Sequence, residues 1–138
     1  MPAKDIYHDN CRSALVKDGW TITDEPLTIK IGGRYNFIDI GAEKVFAAEK
    51  DGRKIAVEVK SFIGKSEISD LQDALGQFVF YQNFLTDLEP DRVLFLAVRQ
   101  KVFDKLFYEE AGAGLLKKRL LRVVVFDETS EEVKRWIN

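Results

Sequence analysis

Hydrophobic positions along the chain follow two periods, and the switches between them outline the elements. Residues 5–18 place Ile6, Tyr7, Cys11, Ala14 and Leu15 on one face at helical spacing, with Gly19 as a C-terminal stop. Residues 20–23 are β-rich, Asp24-Glu25-Pro26 reads as a turn, and residues 27–31 resume as a strand that Gly32-Gly33 breaks. Residues 35–40 are short and apolar and contain Asp39. Residues 45–50, the turn pair Asp51-Gly52 and residues 53–62 together carry a hairpin signal.

A long helix is predicted next. Ser66 can cap it, Glu67 and Asp70 favour the dipole of its first turn, and Ile68, Leu71, Leu75, Phe78 and Leu85 recur at helical spacing until Pro90 forbids continuation. Residues 92–98 read as a buried strand and 102–107 as a short helix. The run Ala111-Gly112-Ala113-Gly114 reads as a break, residues 120–126 as a second buried strand, and 129–137 as a closing helix. A hairpin followed by a helical crossover predicts an α/β fold, a mixed central sheet flanked by helices. No repeat or linker divides the chain, so a single domain over residues 1–138 is expected.

Composition narrows the classes. Hydrophobic residues make up 46% of the 138, enough for a core. No apolar run reaches the ~18–20 residues of a membrane helix, and the start, Met1-Pro2-Ala3-Lys4-Asp5, has no apolar signal segment. One cysteine and one histidine exclude an internal disulfide, a cysteine-rich zinc site and a polyhistidine metal site. A cytoplasmic protein is expected. The net charge of −2 argues against nonspecific coating of nucleic acid. The first 65 residues carry one more basic than acidic side chain and the remainder three fewer, which leans the cationic surface towards the first half.

The candidate chemistry sits in residues 54–60, Lys-Ile-Ala-Val-Glu-Val-Lys. On a strand Ile55, Val57 and Val59 face one way while Glu58 and Lys60 face the other, which holds a carboxylate and an amine in parallel. A second such triplet, Glu132-Val133-Lys134, falls in a polar stretch read as helical, where positions i and i+2 diverge. Asp39 precedes the hairpin, and Asp73, Gln77 and Tyr81 form one polar stripe along the long helix. Each residue has a plainer reading. Glu58 and Lys60 can be a solvated strand face or a structural ion pair, and Asp39 can cap its own backbone in a turn. Gln77 and Tyr81 can satisfy buried polar atoms. His8 reads as a helix-surface or N-terminal residue, Cys11 as a small core hydrophobe, Trp20 and Trp136 as packing, and Lys117-Lys118-Arg119 as a solvated helix end.

Asp39, Glu58-Val59-Lys60 and Gln77-Phe78-Val79-Phe80-Tyr81 together resemble the PD-(D/E)xK nuclease superfamily, over roughly residues 5–100. The resemblance implies a restriction-endonuclease-like core, αβββαβ. In it Asp39, Glu58 and the backbone carbonyl of Val59 would bind Mg²⁺ or Mn²⁺, and Lys60 would orient a water or stabilise developing negative charge. Gln77 and Tyr81 would hold the water, the lysine or the phosphate. Lys30, Arg53, Lys54 and Lys65 are the candidates for phosphate-backbone contacts with DNA. The chain departs from the pattern in three places. Ile38 stands where a proline precedes the acid, Glu43 is a rival first carboxylate, and the first helix lacks a glutamate, for which Asp9 and His8 are the candidate substitutes.

Longer stretches are similar to the XisH family, the fdxN element excision controlling factors of cyanobacteria. These are His8-Asp9, residues 14–23, Asp39-Ile40-Gly41-Ala42-Glu43-Lys44, residues 47–50 and residues 55–62. That similarity implies a part in excising a DNA element from a nitrogen-fixation operon, beside a site-specific recombinase and a second small protein, XisI. Two function classes follow: a Mg²⁺-dependent DNA endonuclease, or a non-catalytic recombination controlling factor that uses the fold as a platform for DNA or for an XisI-like partner. A homodimer is expected by analogy with nucleases that cut both strands.

Overall fold

A computed structural model describes residues 4–44 and 52–138. The chain runs α1 (His8–Lys17), β1 (Thr21–Asp24), β2 (Leu27–Ile31), β3 (Arg34–Ile38), β4 (Ile40–Lys44), β5 (Arg53–Val59) and α2 (Glu67–Leu88). It continues with β6 (Arg92–Arg99), α3 (Gln100–Leu106), α4 (Glu110–Lys117), β7 (Val123–Asp127) and β8 (Glu132–Ile137). Six strands form one sheet in the order β1-β4-β5-β6-β7-β8, and β2 and β3 form a separate two-stranded ribbon. The inner pairs β5–β6 and β6–β7 are parallel, joined by helical crossovers, and the outer pairs are antiparallel. This is the expected mixed α/β sheet. The strand expected at residues 45–50 lies outside the described residues; the described part of the hairpin's first strand is β4.

Both faces of the sheet are covered. Ile55, Val57 and Val59 look towards α1, whose Cys11, Ala14 and Leu15 close one core. Ala56 looks the other way, into a core filled by Leu71, Ala74, Phe78 and Leu85 of α2 and by Leu27 and Ile29 of the ribbon. α2 starts as expected, with Ser66 Oγ accepting from the Ser69 N–H at 3.1 Å. Among the described residues no helix is long and apolar enough to cross a membrane.

Two expectations fail, each for a physical reason. The closing helix at 129–137 is instead strand β8. Its ladder with β7 pairs Phe126 with Val133 but Val125 with Arg135, so Lys134 is an extra, bulged residue. The bulge brings Val133 and Trp136 to the same face at a spacing of three, which imitates a helix. The glycine-rich break at 111–114 lies inside α4. A Cβ on Gly112 would stand 2.4 Å from the Leu106 carbonyl oxygen, so this glycine serves close packing.

Candidate active site

β5 carries Glu58 near its C-terminal end, and Asp39 is the single residue between β3 and β4. The ladder pairs Ile40 with Val57, and Glu43 with Lys54. Extended by one residue, that register sets Asp39 opposite Glu58, on the same face. The chain leaves the ladder there to enter the ribbon, so backbone groups that would pair are taken by side chains. The Asp39 N–H donates to Glu58 Oε1 at 3.0 Å, and the Val59 N–H donates to Asp39 Oδ2 at 2.7 Å. The separation of 19 residues in sequence is thus closed by strand register. The rival Glu43 lies four residues back along β4, about 13 Å away, where it pairs with Lys54.

Asp39, Glu58, Val59, Lys60, Gln77 and Tyr81 line one cleft of about 280 Å³. The structure therefore brings together the acidic pair, the lysine and the two helix residues singled out from sequence. Lys4, Asp5 and Phe37 also line it. Asp5 was missed. It holds its place by accepting from the Ser61 N–H at 2.9 Å through Oδ2 and from the Tyr7 N–H through Oδ1. It lies three residues before His8, in step with the buried face of α1, and that spacing was the available signal. Asp9, offered in its place, points outward beside Lys4. His8 is no surface residue: it is buried and paired through Nε2 with Glu25.

Of the proposed phosphate-contacting residues, none lines the cleft. Arg53 and Lys54 start β5, about 17 Å and about 13 Å from Glu58. Lys65 is exposed on the connection to α2, and Lys30 is exposed on the ribbon. The second Glu-x-Lys triplet also lies on a strand, so strand context does not separate the two copies. Glu132 and Lys134 sit on the edge strand, half exposed and paired with each other at 3.7 Å. Glu58 sits centrally, beside a second carboxylate. Cys11 is core, and Trp20 packs on Trp136 at 5.6 Å between ring centroids.

The electrostatics of the cleft are strained by like charge. Burial, then the neighbouring Asp39, push the Glu58 carboxyl up to about 8, against the pull of Lys60. Burial also raises Asp39, opposed by the Val59 N–H. Tyr81 is raised by burial and by both carboxylates. Among the described residues no group of three His, Cys, Asp or Glu side chains is arranged to hold a metal ion. The interlocked carboxylates of Asp39 and Glu58 line the cleft instead, with Val59 beside them, and Asp5 is a third carboxylate held on two backbone N–H groups. That suits Mg²⁺, which takes one or two carboxylates and keeps several waters.

A family model described as XisH protein matches residues 1–134. The chain is similar in structure to an XisH family protein from Nostoc punctiforme PCC 73102. The TM-score is 0.87 and the identity 38%, over 97% of this chain and 100% of that one. It is also similar to an fdxN element excision controlling factor protein from Anabaena variabilis. There the TM-score is 0.85 and the identity 41%, over 98% of this chain and 100% of that one. A search of curated protein sequences returns no match.

Proposed function

Because the chain belongs to the XisH family, we propose that it is a nuclease-like factor in site-specific DNA excision of the fdxN element type, acting as a Mg²⁺-dependent endonuclease. The observation that carries this reading is the cross-locked pair Asp39 and Glu58, with Lys60, Gln77 and Tyr81 around one cleft. The path supports it too. α1, β1, β4, β5, α2 and β6 trace an αβββαβ order with neighbours β1-β4-β5-β6, and the β2–β3 ribbon is inserted into it. That order is the one expected of a restriction-endonuclease-like core, and it supports the reading.

Asp39, Glu58 and the Val59 carbonyl would hold the metal. When bound, Mg²⁺ or Mn²⁺ supplies an acidified water and offsets charge on the scissile phosphate. The protein's own groups do the rest. Lys60 follows the strand by one residue, its N–H continuing the ladder to the Ala97 carbonyl at 3.1 Å. Its amine makes no ion pair within 4 Å among the described residues and is free to hold a phosphate oxygen or the attacking water. Gln77 and Tyr81, one turn apart on α2, bracket the cleft from the helix side and offer an amide and a hydroxyl to the phosphate.

The test is cleavage of plasmid, single-stranded and branched DNA with Mg²⁺ and with Mn²⁺. Cleavage by the wild type, lost in Lys60→Ala while metal binding by calorimetry persists, supports the reading. Absence of cleavage on every substrate, with Lys60→Ala behaving as wild type in DNA and XisI-like partner binding, would leave a non-catalytic platform and end the nuclease reading.

A further inference from the structure

The ribbon joined to the cleft has a composition and a face that the metal site does not use. Residues 27–38 contain Lys30 and Arg34 and no acidic residue, in a chain of net charge −2. Ladder partners share a face, so the pairs Thr28–Phe37 and Lys30–Tyr35, two residues apart, lie on one side of the ribbon. Leu27 and Ile29 face the other way into the core. Phe37 lines the cleft, so the outer face runs without interruption from the carboxylates to Tyr35 and Lys30. Tyr35 is 65% exposed, and its ring has Lys30 Nζ at 5.8 Å from the centroid.

A large aromatic left in water beside Lys30, on a pleated surface leading from the cleft, suits one ligand chemistry. Unpaired bases stack on such rings while their phosphates meet the cations. A duplex hides its base faces and meets only the charges. We infer that the outer face of the β2–β3 ribbon is a stacking platform for an unpaired DNA strand entering the cleft, so that the substrate is single-stranded or branched DNA. This rests on the nuclease reading of the cleft.

Fluorescence anisotropy of a labelled single strand and of a labelled blunt duplex, both in EDTA, reads the ribbon without the metal. Tyr35→Ala should weaken single-strand binding about tenfold, the size of one lost base–aromatic stack, and leave duplex binding nearly unchanged. Tyr35→Phe should restore it. Lys30→Gln should weaken binding to both DNAs. The two side chains are exposed, so both variants should keep the wild-type melting temperature. Loss of equal size on both DNAs in Tyr35→Ala, or no loss, overturns the inference. Mg²⁺-dependent cleavage is scored separately. Cleavage without Tyr35-dependent strand binding overturns the ribbon alone. Tyr35-dependent binding with no cleavage of any DNA overturns the nuclease reading and leaves the strand platform standing. A wild type that binds neither DNA and cleaves neither overturns both.

Discussion

Replacing Glu58 by glutamine should make the metal-free protein more stable than wild type at alkaline pH. In the unfolded chain this carboxyl titrates near its ordinary value of 4.5, whereas burial, and then Asp39, push it up to about 8 in the fold. Between those values the folded state holds a proton that the unfolded state has released. Stability therefore falls as pH rises through this window, by at most about 1.4 kcal/mol per unit. The whole window corresponds to about 5 kcal/mol as an upper bound. Water in the open cleft screens the charge, which leaves about 2–4 kcal/mol. Glutamine carries no charge and keeps an oxygen to accept from the Asp39 N–H, now 3.0 Å from Glu58 Oε1. The assay is urea unfolding in EDTA from about pH 5 to about pH 8.5, taken as the difference between variant and wild type so that groups away from the cleft cancel. The difference should grow in favour of Glu58→Gln by that amount. Parallel curves would refute the like-charge account of the cleft. Adding Mg²⁺ at the alkaline end should restore wild-type stability, because a cation favours the charged carboxylates, and should leave the variant unmoved.

Two further outcomes test the packing around the site. Gly112→Ala should lower the unfolding free energy measured in urea by about 1–3 kcal/mol, because its Cβ would meet the Leu106 carbonyl oxygen at 2.4 Å. Gly114→Ala, with nothing within 4 Å, should gain up to about 1 kcal/mol, and equal effects at the two positions would show that α4 is not held tightly. Arg99 donates to the Ser61 carbonyl at 2.9 Å and to Glu128 at 3.1 Å, and stacks on Tyr7 at 4.3 Å. Arg99→Ala should cost about 3 kcal/mol in urea unfolding by leaving Glu128 largely buried without its partner, and a change under about 1 kcal/mol would mean that water replaces it.

The elements that were legible are those whose burial is periodic within one segment. α2 announces itself through Leu71, Phe78 and Leu85 and stops before Pro90, because a helix face and a proline are local facts. β6 and β7 read as apolar runs because a central parallel strand is covered on both faces. β8 was not legible: a one-residue bulge, set by pairing with β7, replaced the two-residue period with a spacing of three. α4 was misread because the glycines at 112 and 114 were taken for a break, whereas Gly112 serves contact with Leu106, a partner six residues away.

For the site, the sequence by itself determined which side chains share a face. Glu58 and Lys60 alternate with the apolar residues of β5, and Gln77 and Tyr81 lie one helical turn apart, so chain geometry alone aligns each pair. Only the tertiary structure decided which pairs meet. Asp39 rather than Glu43 stands beside Glu58 because the ladder register pairs Ile40 with Val57. Asp5 joins them because the Ser61 N–H holds the segment before α1 against the end of β5. Such choices depend on hydrogen bonds between residues 19 to 56 positions apart, and no local periodicity encodes them.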